Sequence, residues 1–201
     1  MKVHGVHYTR NTSARENSMH GICLLLSKAA GQLDLTTATE RAVQVLGKAE
    51  NSGQPYAVLA GSFGTFVCLA ALRAAKHRLL HKIVLWGPPP YLRCWEGFCR
   101  GRDEFVEAGS KKWIHISESF FEAIERIEFM LQRVRIPCVI ASGSLDKYCQ
   151  PIDVGYLRWV CRNNSLVRFA TLVPEAGHEV SEARSRVVQD AYESALFGDE
   201  Y

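Results

Sequence analysis

Short, unbroken apolar runs alternate with amphipathic ones along most of this chain. Gly21 to Ser27 (GICLLLS), Tyr56 to Ala60, Lys82 to Trp86 (KIVLW), Pro137 to Ser142 (PCVIAS) and Leu166 to Val173 each have the length of a strand buried on both faces. Between them, Thr37 to Lys48 repeats Ala42, Val43, Val45 and Leu46 at the spacing of one helix face. Thr65 to Lys76, Val154 to Arg162 and Glu182 to Leu196 read as further helices. Gly87-Pro88-Pro89-Pro90 halts the KIVLW run, because proline cannot donate to a strand ladder. Alternation of this kind predicts an α/β fold: a mostly parallel sheet with helices on both faces.

One segment departs from the rhythm. Pro88 to Ile136 separates the third and fourth strands and carries Trp95, Phe98, Trp113, Phe120 and Phe121, with a helix expected over Glu118 to Gln132. An insert this long between core strands typically covers or walls a pocket. Its aromatic side chains either line an acyl pocket or pack as the insert's own core. No repeat, low-complexity tract or linker divides the chain, so residues 1–201 are expected to form a single domain with a cap insert at about 88–136.

Composition adds exclusions. Apolar residues make up 47% and charged residues 22%, a globular balance that excludes a disordered chain. The net charge of +3 comes without a basic block: Arg133 with Arg135, and Lys111 with Lys112, read as solvated pairs, so no nucleic-acid partner is expected. The seven cysteines include no CxxC pair, and Cys23, Cys68 and Cys138 lie inside apolar runs. That usage favours a reducing, cytoplasmic setting over a disulfide framework. The start Met1-Lys2-Val3-His4 lacks the apolar core of a secretory signal. Tyr56 to Leu72 is interrupted by Gly61-Ser62-Phe63-Gly64 and reads as strand plus helix, not as a membrane span. Nothing in the sequence speaks to oligomeric state.

The candidate chemistry begins at Ala60-Gly61-Ser62-Phe63-Gly64, between a strand and a helix. Small neighbours permit a turn sharp enough to project the Ser62 hydroxyl outward, with the next N–H facing the same space. A serine hydroxyl needs a base, and the base needs an orienting group. His178 in Pro174-Glu175-Ala176-Gly177-His178-Glu179 and Asp146 in Gly143-Ser144-Leu145-Asp146 follow two later strands. All three would leave the sheet at its carboxyl edge, where such folds place their sites. Taken singly, each has a plainer reading: Ser62 and Asp146 as turn residues, His178 as a satisfied loop histidine. Asp153 and Glu175 are alternative acids. His77 and His81 read as a solvated pair, not as metal ligands, and Cys149 as packing, not a second nucleophile. His178-Glu179-Val180-Ser181-Glu182 lacks the second histidine of a zinc protease, and Gly61 to Thr65 lacks the Gly-Lys ending of a phosphate loop. No metal or organic cofactor is expected.

From about Gly21 to the C-terminus the chain resembles the α/β-hydrolases, with amino-terminal strands missing or reduced. Ala60 to Gly64 is similar to the family's nucleophile elbow, with Ala60 in place of its first glycine. IPCVIASGSLDKYCQP is similar to its acid segment, LVPEAGHE to its histidine loop, and SKKWIHISESFFEAIERIEFMLQRVRIP to the short helical cap of small esterase- or lysophospholipase-like members. The resemblance implies Ser62 as nucleophile, His178 as general base and acid, and Asp146 as the orienting acid. It implies oxyanion donors at the Phe63 N–H and, if Val3-His4-Gly5-Val6 ends the family's His-Gly strand, at Val6. The expected activity is hydrolysis of a carboxylic ester or thioester of a small-molecule acyl substrate. The alternatives are acyl transfer to another acceptor, and a non-catalytic hydrolase-like binding domain.

Overall fold

The computed structural model of the chain describes residues 4–7, 20–24, 32–33, 35–88, 99–100, 104–106, 113–116, 127–169 and 172–178. The strands are β1 (His4–His7), β2 (His20–Leu24), β3 (Gln32–Leu33), β4 (Tyr56–Gly61), β5 (Leu80–Trp86), β6 (Cys99–Arg100), β7 (Glu104–Val106), β8 (Trp113–Ile116), β9 (Cys138–Ala141) and β10 (Val167–Phe169). The helices are α1 (Leu35–Asn51), α2 (Gly64–Ala74), α3 (Ile127–Gln132) and α4 (Pro151–Val160).

A six-stranded sheet runs in the order β1-β2-β4-β5-β9-β10. Every pairing from β2 to β10 is parallel, and β1 alone runs antiparallel, along β2. Parallel neighbours require crossovers, and α2 between β4 and β5 is one of them. Val58, Ala60, Ile83, Leu85 and Ile140 pack into one cluster with Leu46 of α1 and Phe66 of α2. Val84, Trp86, Val139 and Ala141, of the opposite parity, are buried as well. Both faces of the central strands are therefore covered, which is why they read as continuous apolar runs.

The helices follow the same logic. α1 buries Ala38, Ala42 and Leu46, one stripe at four-residue spacing, against α2. α2 buries Phe66, Val67, Cys68, Leu69 and Ala71 and so is enclosed rather than half-exposed, lying against β4, α1 and α3. No described helix is long and apolar enough to cross a membrane. The helix expected over Glu182 to Leu196 lies outside the described residues.

Two expectations change. The insert is not simply a helical cap: β6, β7 and β8 within it join β3 in a second sheet of order β3-β8-β7-β6. Of the helix expected over Glu118 to Gln132, Ile127–Gln132 is helical, and residues 117–126 lie outside the described residues. Second, Val3-His4-Gly5-Val6 does not lead into the site. Val6 pairs with Gly21, which pairs with Ala57, at the opposite end of β4 from Ser62. At about 3.3 Å per residue, that offset is on the order of 16 Å. Because β1 runs against β2, continuing along it moves farther from the carboxyl edge, so Val6 is not an oxyanion donor. Among the described residues, the one that the neighbouring strand brings nearest this edge is Leu24, paired with Ala60.

Candidate active site

Ser62 sits directly after β4 with φ 51°, a left-handed conformation that side chains rarely adopt. The turn is held from both sides. The Ser62 N–H donates to the Trp86 carbonyl at 2.8 Å, and the Ser62 carbonyl accepts from the Thr65 N–H at 3.0 Å and the Thr65 hydroxyl at 2.7 Å. Thr65 is fully buried, so its hydroxyl serves the elbow and not solvent. Ala60 is fully buried in the core and takes its methyl without strain. Phe63 follows with φ −57° and ψ −27° and opens α2.

β9 delivers the acid. Just past its end, Asp146 is 3% exposed. Its Oδ1 accepts from the N–H groups of Tyr148 at 2.8 Å and Cys149 at 2.9 Å. The Ser142 hydroxyl lies 3.2 Å from its Oδ2 and 2.9 Å from the Cys149 carbonyl, and its single proton serves one of them at a time. The acid is thus fixed in position by its own loop. Glu175, the alternative acid, is exposed at φ 59°, and Asp153 falls within α4.

The histidine arrives on the loop beyond β10. Gly143 bridges Val173 in parallel, and the Val173 and Ser144 N–H groups exchange bonds with Ser142 and Val173 carbonyls at 2.8 and 2.9 Å. Leu145 N–H donates to the Ala176 carbonyl at 2.9 Å, which binds the acid loop to the histidine loop. His178 Nδ1 lies 2.9 Å from Asp146 Oδ2 and 3.0 Å from Oδ1, and its Nε2 lies 2.8 Å from Ser62 Oγ. A carboxylate only accepts, so the Nδ1 proton is donated to it and Nε2 is left to accept the serine hydroxyl. The Tyr148 ring packs on the imidazole at 4.6 Å between centroids. The His178 side chain is 12% exposed, leaving a narrow opening to solvent.

Ser62, Asp146 and His178 are therefore brought together from three strands, as the sequence led one to expect, and Val6 is not among them. Sequence reasoning missed Trp86, whose indole N–H donates to the His178 carbonyl at 2.9 Å, and Thr65. It also missed Gly87, read only as a strand terminator. A Cβ there would stand 2.8 Å from Asp146 Oδ2 and 3.1 Å from His178 Nδ1. The histidine pair resolves differently from expectation: His81 is exposed on β5, while His77 is half-buried with Nδ1 3.1 Å from the Tyr56 hydroxyl. Among the described residues no cluster of side chains suits a metal ion.

No protein-family model matches the chain, and no curated protein matches it in sequence. Solved structures do match in shape. The esterase domain of a Rhodothermus marinus protein aligns over 98% of this chain and 97% of its own, at 16% identity and a TM-score of 0.53. Est1E from Butyrivibrio proteoclasticus aligns over 81% of this chain and 69% of its own, at 13% identity and a TM-score of 0.59. A monoacylglycerol lipase from Paleococcus ferrophilus aligns over 82% of this chain and 75% of its own, at 14% identity and a TM-score of 0.57. At such identities the likeness is one of fold.

Proposed function

The chain has the fold of the α/β-hydrolases, and we propose that it is a serine hydrolase cleaving a carboxylic ester or thioester of a small-molecule acyl substrate. One observation carries the reading: Ser62 Oγ and His178 Nε2 stand 2.8 Å apart while Asp146 accepts from the other ring nitrogen. In the proposed reaction His178 Nε2 takes the Ser62 proton as Oγ bonds to the acyl carbon. The Phe63 N–H, first after the elbow, receives the developing oxyanion. Collapse breaks the bond to the leaving alcohol or thiol, which takes the proton back from Nε2. Water then gives a proton to Nε2 and attacks the acyl carbon, and collapse breaks the bond to Ser62 Oγ, which takes that proton back from Nε2 as the acid is released. Asp146 keeps the imidazole in the tautomer that can accept at Nε2 throughout. A single domain in the cytoplasm completes the proposal, in keeping with free, buried thiols at Cys68, Cys138 and Cys161.

A fluorophosphonate probe tests this directly. The wild-type protein is expected to be labelled at Ser62 and to hydrolyse p-nitrophenyl butyrate, and Ser62→Ala to lose both while folding normally. Folded wild-type protein that resists the probe, or Ser62→Ala that keeps its turnover, would overturn the reading.

A further inference from the structure

We infer that Trp86 is a positioning residue for this reaction, holding the histidine to the strand end that also anchors the nucleophile; the inference rests on the serine-hydrolase reading above. Trp86 closes β5, beside the strand that leads to Ser62. Its carbonyl accepts the Ser62 N–H at 2.8 Å, and its indole N–H donates to the His178 carbonyl at 2.9 Å. One residue is thus bonded through its main chain to the nucleophile and through its side chain to the base. Trp86 is 2% exposed, so its ring is clamped and the N–H has a fixed direction.

The other contacts of the histidine loop explain why this bond matters. Bonds between residues 142–145 and residues 173–176 tie the loop to the acid. They keep His178 with Asp146 but say nothing about its distance from Ser62, which belongs to a different strand. The indole bond supplies that second coordinate. The acid strand is already fixed to this edge, where the Gly87 N–H donates to the Ala141 carbonyl at 2.8 Å. His178, however, lies beyond Ala176, the last residue of its loop bonded through the main chain to the acid loop. Without the indole bond the histidine end of the loop can turn from the serine, stretching the 2.8 Å contact through which the proton moves. Misplacement of about 1 Å in a reacting pair can cost on the order of 10²-fold in rate.

The test is Trp86→Phe, together with a variant carrying at position 86 a tryptophan isostere in which sulfur replaces the indole N–H. The isostere keeps the volume and removes only the donor, so it remains informative even if the phenylalanine variant fails to fold. Both are expected to hydrolyse p-nitrophenyl butyrate with kcat lowered about 10–100-fold and KM changed by less than about twofold. Fluorophosphonate labelling should slow by the same factor as kcat. A role confined to packing would instead lower the thermal midpoint of Trp86→Phe and leave the isostere at wild-type kcat, which would overturn the inference. Ser62→Ala is assayed in parallel. Loss of activity there with a fully active isostere sinks only the role of Trp86, whereas activity retained in Ser62→Ala sinks the hydrolase reading and this inference with it.

Discussion

Gly87 stands where a side chain would press on two of the three proposed catalytic groups. Its φ of 51° alone would cost a substituted alanine about 1–2 kcal/mol. For a chain of this size that lowers the thermal midpoint by about 2–8 °C and leaves the protein folded. The new Cβ, however, would lie 2.8 Å from Asp146 Oδ2, and the carboxylate is already pinned by Tyr148 and Cys149. Something in the acid–histidine pair must move. Gly87→Ala is therefore expected to slow fluorophosphonate labelling about 10²-fold while circular dichroism shows a folded protein. Labelling at the wild-type rate would mean that the pair tolerates displacement and that the close approach is incidental. Ser62 and Gly87 also show which residues a sequence discloses. Ser62 was legible because its reason is local: small neighbours, a strand before it and a helix after it. The reason for Gly87 lies in Asp146 and His178, far along the chain, and no window around Pro88 contains it.

Elements were legible in proportion to their length and burial. β4, β5 and β9 stand out because, where a strand is covered on both faces, successive residues are apolar, as from Ile83 to Trp86, and α1 because its stripe repeats through several turns. β6, β7 and β8 did not, since Cys99–Arg100, Glu104–Val106 and Trp113–Ile116 are too short to display a period and draw their stability from partners elsewhere. The direction of β1 was hidden for the same reason. One junction between elements yields a pH prediction. At the amino edge of the sheet, Glu50 at the end of α1 accepts from the Arg78 and Leu79 N–H groups before β5 and from the hydroxyl of Tyr56, which also meets His77. Burial holds the His77 pKa below 6.5, against the opposing pull of Glu50. Burial works against the Glu50 charge too, yet the Arg78, Leu79 and Tyr56 donors together hold its carboxyl below 4.5. Both signs run the same way. As pH falls through 6.5, unfolded His77 takes up a proton that the folded ring refuses, and lower still unfolded Glu50 does likewise. Each step favours unfolding. Denaturant titrations should therefore show stability falling on acidification, with a smaller fall between about pH 7 and pH 5 in His77→Gln. An unchanged slope in that variant would remove His77 from the account. The junction is remote from Ser62, so turnover at neutral pH should be unaffected.

Across the whole molecule, the central question is whether the helices and the sheet yield as one body, as the expectation of a single domain requires. Three thiols can report on it, because each comes from a different element and all enter one core: Cys68 from α2, Cys138 from β9 and Cys161 just beyond α4. Burial pushes the Cys68 thiol up to about 12 and the Cys161 thiol up to about 11. Cys138 is raised well above its ordinary value by burial and then by the proximity of the other two. The thiolate is the reacting species, so burial and suppressed ionisation both protect these groups in the folded protein. Iodoacetamide at mildly alkaline pH should leave all three unmodified under native conditions, as read by peptide mass spectrometry. Under increasing urea, a domain that unfolds cooperatively exposes them together, and the three modification curves should share one midpoint with the loss of circular dichroism. Modification of Cys161 at distinctly lower urea than Cys68 would show α4 separating from the sheet first. The loop that holds Asp146 runs from β9 into α4 and depends on both, so activity would then be lost along the Cys161 curve and not with global unfolding.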